Sequence, residues 1–116
     1  QQGPEASPMG IFKAYDIRGI HPTELDAEIA RKIGRAFSSI LDPGQVIVAR
    51  DARVHSPEIA EAVRAGLCDV GREVIDIGLA STPMAYYAIG SREVAGGVIV
   101  TASHNPGEYS GMKLCR

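Results

Sequence analysis

The chain has 116 residues, 45% of them hydrophobic and 5% aromatic, and its formal net charge is −2 at pH 7. A chain of this length forms one domain at most, with a core built mainly from aliphatic side chains. A net charge near zero excludes an electrostatic case for nucleic acid or an anionic membrane as a partner. No apolar run approaches the roughly 20 residues that a membrane-spanning helix needs.

The composition also bears on the N-terminal residues and on the two cysteines. Residues 1–10 are polar and rich in Pro and Gly, so we expect a flexible tail or an expression remnant, with the domain over 11–116. Cys68 and Cys115 match no metal-binding or CxxC spacing. This favours reduced, structural thiols in a cytoplasmic protein.

Helices and strands are predicted to alternate along the chain. Ser56 and Pro57 are the residue types preferred at a helix N-cap and first position, and 23–26 is a further capping signal. The hydrophobic pattern predicts, in order, a helix over 23–41, a strand over 45–49, a helix from Ser56 to Gly71, a strand over 73–77, a helix over 82–89 and a strand over 96–100.

This alternation predicts parallel βαβ units and a three-layer α/β/α fold with a mixed, mostly parallel sheet. Ligands of open α/β sheets bind beyond the carboxyl ends of the strands. The polar stretches 50–53, 81–83 and 101–104 each follow a predicted strand. We therefore expect them to meet at one edge of the sheet.

The last apolar strand runs into the sequence TASHNPGEYSGMKL, residues 101–114. In one interpretation, Ser103 or Asn105 is only a turn residue or a cap. In the other, Ser103 is a nucleophile that carries phosphate, which requires hydrogen-bond donors and positive charge nearby. His104, the backbone near Asn105 and Lys113 could supply them, because a short Gly-rich turn returns Lys113 towards Ser103. The spacing alone leaves both interpretations open.

The sequence FKAYDIRGI, residues 12–20, also has two interpretations. It places Lys13, Tyr15, Asp16 and Arg18 among apolar residues. It is either an edge strand with a solvated polar face or a strand that aims the planar guanidinium of Arg18 at a phosphate.

Three motifs in this order, FKAYDIRG, TASHNP and YSGMKL, resemble the first domain of the α-D-phosphohexomutases. The resemblance covers about 11–116 and is closest to the bacterial phosphomannomutase/phosphoglucomutase branch. The intervening sequence fits the same domain, with Arg50, Asp51 and Arg53 matching a family segment. It departs from that family at three positions, Ala49 and Ala52, where Gly is common, and His55, where a small residue is usual.

The resemblance implies an enzyme that interconverts hexose 1-phosphate and hexose 6-phosphate, of mannose or glucose. It works through a Mg²⁺-dependent phosphoserine and a hexose 1,6-bisphosphate, which is both intermediate and activator. By position, Ser103 carries the phosphate and binds Mg²⁺ through it. Lys113 is then the general base or acid, and Arg18 supports the phosphoserine and catalysis.

The resemblance also assigns His104 to the catalytic loop, and Tyr15 and Asn105 to the substrate site. It implies a chain of four domains, of which this is the first, incomplete at its C-terminus. The other Mg²⁺ ligands, the sugar-selecting loop and the substrate-phosphate clamp would lie in domains 2–4, so the chain alone is expected to be inactive. Two alternatives stay open: a phosphoglucosamine mutase, and a non-catalytic α/β module that binds a phosphorylated ligand.

Overall fold

The computed structural model describes residues 5–6, 13–21, 23, 25–101 and 109–116. The strands are β1 (Glu5–Ala6), β2 (Lys13–Ile20), β3 (Val46–Arg50), β4 (Val74–Leu79), β5 (Gly96–Val100) and β6 (Tyr109–Cys115). The helices are α1 (Ala27–Ser38), α2 (Ser56–Asp69) and α3 (Thr82–Ser91). Among the helices of these described ranges, none is both long enough and apolar enough to cross a membrane.

The six strands form one mixed sheet in the order β1-β2-β6-β5-β3-β4. β3 pairs in parallel with β4 and with β5, whereas β6 is antiparallel to both of its neighbours, β5 and β2. Strands β2, β3, β4 and β5 therefore run in one direction, with β6 inserted between β5 and β2. Their carboxyl ends lie at one edge of the sheet, together with the beginning of β6.

Helices cover both faces of the sheet, which confirms the expected three-layer α/β fold. On one face, α1 and α2 pack on a large core that contains Phe37, Val63 and Met112. On the other face, α3 packs through Ile89 on a smaller core that contains Ile99. The strands β3 and β5 are apolar on both faces because both faces are covered.

Helices α1 and α2 approach each other closely at two glycines. A Cβ atom at Gly34 would lie 2.6 Å from the carbonyl oxygen of Val63, and one at Gly66 would overlap the carbonyl group of Arg31. The absent side chains let the two backbones come together. Beside this crossing, Asp69 of α2 accepts hydrogen bonds from Arg31 and Arg35 of α1 at 2.7 and 3.0 Å.

Local hydrogen bonding moves two helix boundaries from their predicted positions. α1 begins at Ala27 because the side chain of Asp26 accepts from the backbone N–H of Ile29, so the earlier part of the predicted capping signal lies outside the helix. α2 has His55 at its N-cap position, and the prediction of Ser56 as the cap was wrong. The hydroxyl of Ser56 instead donates to the carboxylate of Asp51.

The structure confirms the predicted end of α2 and excludes an edge position for β2. The predicted end at Gly71 is confirmed, since the helix closes at Asp69 and Gly71 follows with a φ of 87°. β2 is not an edge strand, because β1 and β6 flank it. Within residues 1–10, the structure describes only the pairing of Glu5–Ala6 with β2.

Candidate functional site

The loops at the carboxyl edge of the sheet are tied to one another by backbone hydrogen bonds. Asp51, just after β3, donates its N–H to the carbonyl oxygen of Val100 over 2.9 Å. Ala80, just after β4, donates to Arg50 over 3.0 Å, and Thr101 donates to Gly111 over 2.9 Å. The predicted convergence at this edge is therefore confirmed for Arg50, Asp51 and Thr101, and Ala80 brings the start of the stretch 81–83 to the same edge.

A carboxylate flanked by two cations lies beside this edge, on the face of the sheet that α3 covers. The Nζ atom of Lys113 is 2.8 Å from Oδ1 of Asp16, and Nη2 of Arg18 is 3.1 Å from Oδ2 of the same carboxylate. Asp16 and Lys113 are direct partners in the β2–β6 ladder. We call these three residues the charged trio.

Two members of the charged trio, Asp16 and Lys113, are buried, and the third, Arg18, is partly exposed to solvent. Asp16 is 6% exposed and Lys113 9%, whereas the side chain of Arg18 is 35% exposed. Two cationic side chains therefore lie around one carboxylate. A partly exposed guanidinium suits an anion with several oxygen acceptors, such as a phosphate.

The charged trio lies close to the end of β5. Thr101, the first residue after β5, is bonded to Gly111, which precedes Lys113 by two residues along β6. Two strand residues span about 7 Å, which is comparable to the length of a lysine side chain. The structure thus places Lys113 near the point where the chain leaves β5. The predicted residues Ser103, His104 and Asn105 lie outside the described residues.

Tyr15 is on the opposite face of β2 from the charged trio. Successive side chains of a strand alternate between faces, and Tyr15 packs, half-buried, against the core under α1 and α2. The structure therefore brings Arg18 and Lys113 together but does not place Tyr15 with them. Its role near a sugar stays a prediction.

The sequence FKAYDIRGI indicates that Asp16 lies beside Arg18. Asp16 and Arg18 are two residues apart, which puts both side chains on one face of a strand. The sequence analysis assigned no role to Asp16. Its partner Lys113 could not be identified from spacing, because the pairing of β2 with β6 joins positions 97 residues apart.

Asp51 organises the loop between β3 and α2. Its carboxylate accepts hydrogen bonds from the hydroxyl of Ser56 and from the backbone N–H of Arg53, the latter over 3.1 Å. The same carboxylate lies 3.5 Å from Nε of Arg53, while Arg50 donates to the carbonyl oxygen of Asp51. These contacts fix the two arginines at the edge of the sheet beyond β3.

Two observations bear on the chemistry available at the carboxyl edge of the sheet. Both cysteines are free thiols, but Cys115 ends β6 opposite Gly97, at the other edge of the sheet, and burial raises the pKa of its thiol to about 12. The carboxylates of Asp16 and Asp51 are engaged by cations, a hydroxyl and an N–H. The described residues at this edge therefore do not furnish the open set of oxygen ligands that Mg²⁺ needs.

Comparisons with known proteins match nearly the whole chain. A family model described as phosphoglucomutase/phosphomannomutase, alpha/beta/alpha domain I, matches residues 9–116. "Phosphohexose mutases" of Xanthomonas campestris is 54% identical over 90% of this chain and 23% of the relative. A phosphomannomutase of Klebsiella pneumoniae is 50% identical over 90% of this chain and 67% of the relative.

A solved structure gives the same result for the fold. The phosphoglucomutase/phosphomannomutase family protein of Burkholderia thailandensis superposes with a TM-score of 0.77 at 39% identity. The match covers 87% of this chain and 25% of that chain. This chain thus spans about a quarter of the length of that protein and of the Xanthomonas relative.

Proposed function

Because this chain belongs to the phosphoglucomutase/phosphomannomutase family, we propose that it is the phosphoserine domain of a phosphohexomutase. The whole enzyme would interconvert the 1-phosphate and 6-phosphate of mannose or glucose. The names of the relatives, phosphohexose mutases and phosphomannomutase, support this branch over a phosphoglucosamine mutase. The short span of the chain relative to the Xanthomonas relative supports its being the first of four domains.

The proposed reaction moves a phosphoryl group between Ser103 and the sugar. The serine ester donates its phosphoryl group to a sugar hydroxyl, whose proton passes to solvent water, while the serine oxygen takes up a proton from a positioned acid. The resulting hexose 1,6-bisphosphate turns over and returns its other phosphoryl group to Ser103. A positioned group that moves a proton in such a step contributes roughly 10²–10⁴-fold to the rate.

Lys113 is the described residue best placed to move that proton. Its ammonium, held 2.8 Å from Asp16, can donate a proton to the serine oxygen as the phosphoryl group leaves. In the return step it would accept the proton again. Arg18 would bind phosphate oxygens through its planar fork of N–H donors.

The single observation that carries this proposal is that two cationic side chains, Arg18 and Lys113, meet on Asp16 beside the end of β5. Phosphoryl transfer depends mainly on positioning and on neutralising charge on the phosphoryl oxygens. Arg18 and Lys113 supply positive charge where the chain enters the TASHNP motif. The roles of His104, Asn105 and Tyr15 rest on the family resemblance alone.

Magnesium belongs to the proposal, but the described residues do not complete its site. A phosphate on Ser103 would provide one oxygen ligand. Asp16 and Asp51 are engaged in other contacts, so we expect the remaining ligands from a part of the enzyme outside this chain. When bound, Mg²⁺ would neutralise charge on the transferring phosphoryl group.

Phosphopeptide mapping tests the proposal on the complete enzyme that contains this chain. After incubation with a hexose 1,6-bisphosphate, one phosphoryl group should be found on Ser103. Ser103→Ala should remove it, and Ser110→Ala, a matched change in β6, should retain it. Phosphate at another residue, or full turnover by Ser103→Ala, would contradict the assignment.

A further inference from the structure

Two histidines and a glutamate that the proposed reaction does not use come together near the carboxyl edge of the sheet. His21 directly follows β2, His55 directly precedes α2, and Glu58 lies in the first turn of α2. One ligand atom from each lies within 4.8 Å of the other two. The imidazole rings are stacked, with centroids 3.8 Å apart and planes inclined by 19°.

Among the described residues, the Nε2 atom of His21 has an ion-pair contact with Glu58 but no hydrogen bond. The side chain of His21 is only 11% exposed, and its Nε2 atom is buried without a hydrogen bond among the described residues. Oε1 of Glu58 lies 3.2 Å away but not in hydrogen-bonding geometry. A buried polar atom without a partner is destabilising and uncommon in native proteins.

We propose that His21, His55 and Glu58 form a binding site for a divalent transition-metal ion of the Zn²⁺ class. Two imidazole nitrogens and one carboxylate oxygen are a ligand set that Zn²⁺ accepts, with water at its fourth position. Imidazole also suits transition metals far better than Mg²⁺, which requires oxygen ligands. The site is separate from the magnesium chemistry proposed for Ser103 and does not depend on it.

The stacked rings of His21 and His55 lie next to each other, but they are not oriented to bind one metal ion. A metal ion lies in the plane of each imidazole that binds it, so the two rings must rotate out of their stack to converge on one ion. The rings can turn about their side-chain torsions without breaking the backbone hydrogen bond from Ile59 to His55. The bound ion would also bond to Nε2 of His21, which has no hydrogen bond among the described residues, and would tie the end of β2 to the beginning of α2.

The sequence offered one indication of this site. His55 stands where the resembled family usually has a small residue, and Glu58, three residues later, falls on the same side of the first turn of α2. His21 carried no signal, since only the sheet brings the end of β2 next to α2. The presence of a histidine at position 55, in place of that small residue, is consistent with a metal site particular to this chain.

Competition with a chromogenic zinc chelator tests the proposal on the purified 116-residue chain. We expect one Zn²⁺ ion per chain, not displaced by excess Mg²⁺. Each of the substitutions His55→Asn and Glu58→Gln should lower the affinity for Zn²⁺ by at least about tenfold. Glu61→Gln removes the same charge one turn along α2 and should leave the affinity unchanged, because Glu61 is paired with Arg64.

Glu58→Gln is the decisive variant, since the Glu58 side chain is 51% exposed and its exchange should not disturb folding. Thermal unfolding supplies the second readout: Zn²⁺ should raise the Tm of the wild-type chain and of Glu61→Gln, and should raise it less in Glu58→Gln. The proposal is overturned if the wild-type chain binds no Zn²⁺. It is equally overturned if His55→Asn and Glu58→Gln bind Zn²⁺ as the wild type does, because the ion would then lie elsewhere.

Discussion

Asp16 and Lys113 face each other directly across the β2–β6 ladder, and their side chains form an ion pair that is almost completely buried. Burying two charges is unfavourable unless each has a close partner. Arg18 adds a second cation to the same carboxylate. The charged trio is therefore expected to matter for both the stability of the chain and its proposed chemistry.

The first prediction concerns the stability of the buried pair. Asp16→Asn leaves the Lys113 ammonium buried without its carboxylate, so the free energy of unfolding should fall by about 3–5 kcal/mol. Denaturation by urea measures this change. Glu93→Gln, which neutralises an exposed acid after α3, should change the free energy by less than about 0.5 kcal/mol. The double variant Asp16→Asn/Lys113→Met should be less destabilised than Asp16→Asn alone; a strictly additive loss would show that the two charges are not coupled.

The second prediction concerns the activity of the proposed phosphohexomutase. Lys113→Met should lower kcat by about 10²–10⁴-fold, because it removes the group proposed to move the proton. A coupled mutase assay measures kcat, and circular dichroism checks that the variant is folded. Turnover within a few-fold of wild type in a folded variant would exclude Lys113 from that role.

Much of the fold could be predicted from local sequence, and the reasons are visible in particular residues. The run 96–100 is apolar on both faces, and Pro57 and Gly71 mark the two ends of α2 in the sequence. The start of α1 was misplaced because two residues that favour N-caps, Thr23 and Asp26, lie three positions apart, and local propensity does not rank them. Asp26 prevails through its hydrogen bond to Ile29.

The candidate site could be predicted less well, because its residues are brought together by the pairing of strands that are far apart in the sequence. Lys113 and Arg18 could be selected from motifs, yet neither spacing nor composition shows that both bind Asp16. Alternation along β2 puts Tyr15 on the face opposite Asp16 and Arg18, but the sequence does not show which of the two faces packs on α1 and α2. The antiparallel insertion of β6 brings Lys113 to Asp16.

The third prediction concerns the close approach of α1 and α2. Gly66→Ala introduces a methyl group where the carbonyl group of Arg31 lies, so it should lower the free energy of unfolding by about 1–3 kcal/mol. Ala36→Ser, which adds one atom on the exposed face of α1, serves as the control and should have little effect. Equal stability of Gly66→Ala and wild type in urea would mean that the helices do not meet at this glycine.

The fourth prediction concerns acid stability. Arg31 and Arg35 beside Asp69 hold the pKa of that carboxyl well below its ordinary value of 3.8. The unfolded state therefore binds the proton more readily, so the stabilisation is complete above about pH 4 and is lost as the pH falls below it, towards the lower folded-state pKa. Asp69→Asn should reduce this acid dependence of the free energy of unfolding, and high salt should weaken the difference, because the pair is on the surface.

Asp42→Asn provides the matched control for that measurement. Asp42 is an exposed aspartate in the loop after α1, and its exchange should leave the acid profile close to that of the wild type. If Asp69→Asn and wild type lost stability in parallel between pH 4 and pH 2, the ion pairs of Asp69 would have no part in the acid response.

The fifth prediction concerns the two thiols. Cys68 is exposed and Cys115 is buried, and the raised pKa of Cys115, about 12, keeps it protonated at neutral pH. A thiol reagent should therefore modify one cysteine rapidly in the native chain and the second only in denaturant. Cys68→Ala should abolish the rapid phase. Rapid modification of Cys115 in the native Cys68→Ala chain would show that the end of β6 is open to solvent.

The order of the strands has a consequence for folding during synthesis on the ribosome. β2 is among the first segments to be synthesised, but its neighbour β6 comes last of all the described elements. Until β6 emerges, β2 and β5 each lack the strand that lies between them, and Asp16 has no Lys113. Between the synthesis of β5 and that of β6, the nascent chain is thus expected to expose two open strand edges, the kind of intermediate that aggregates or engages chaperones.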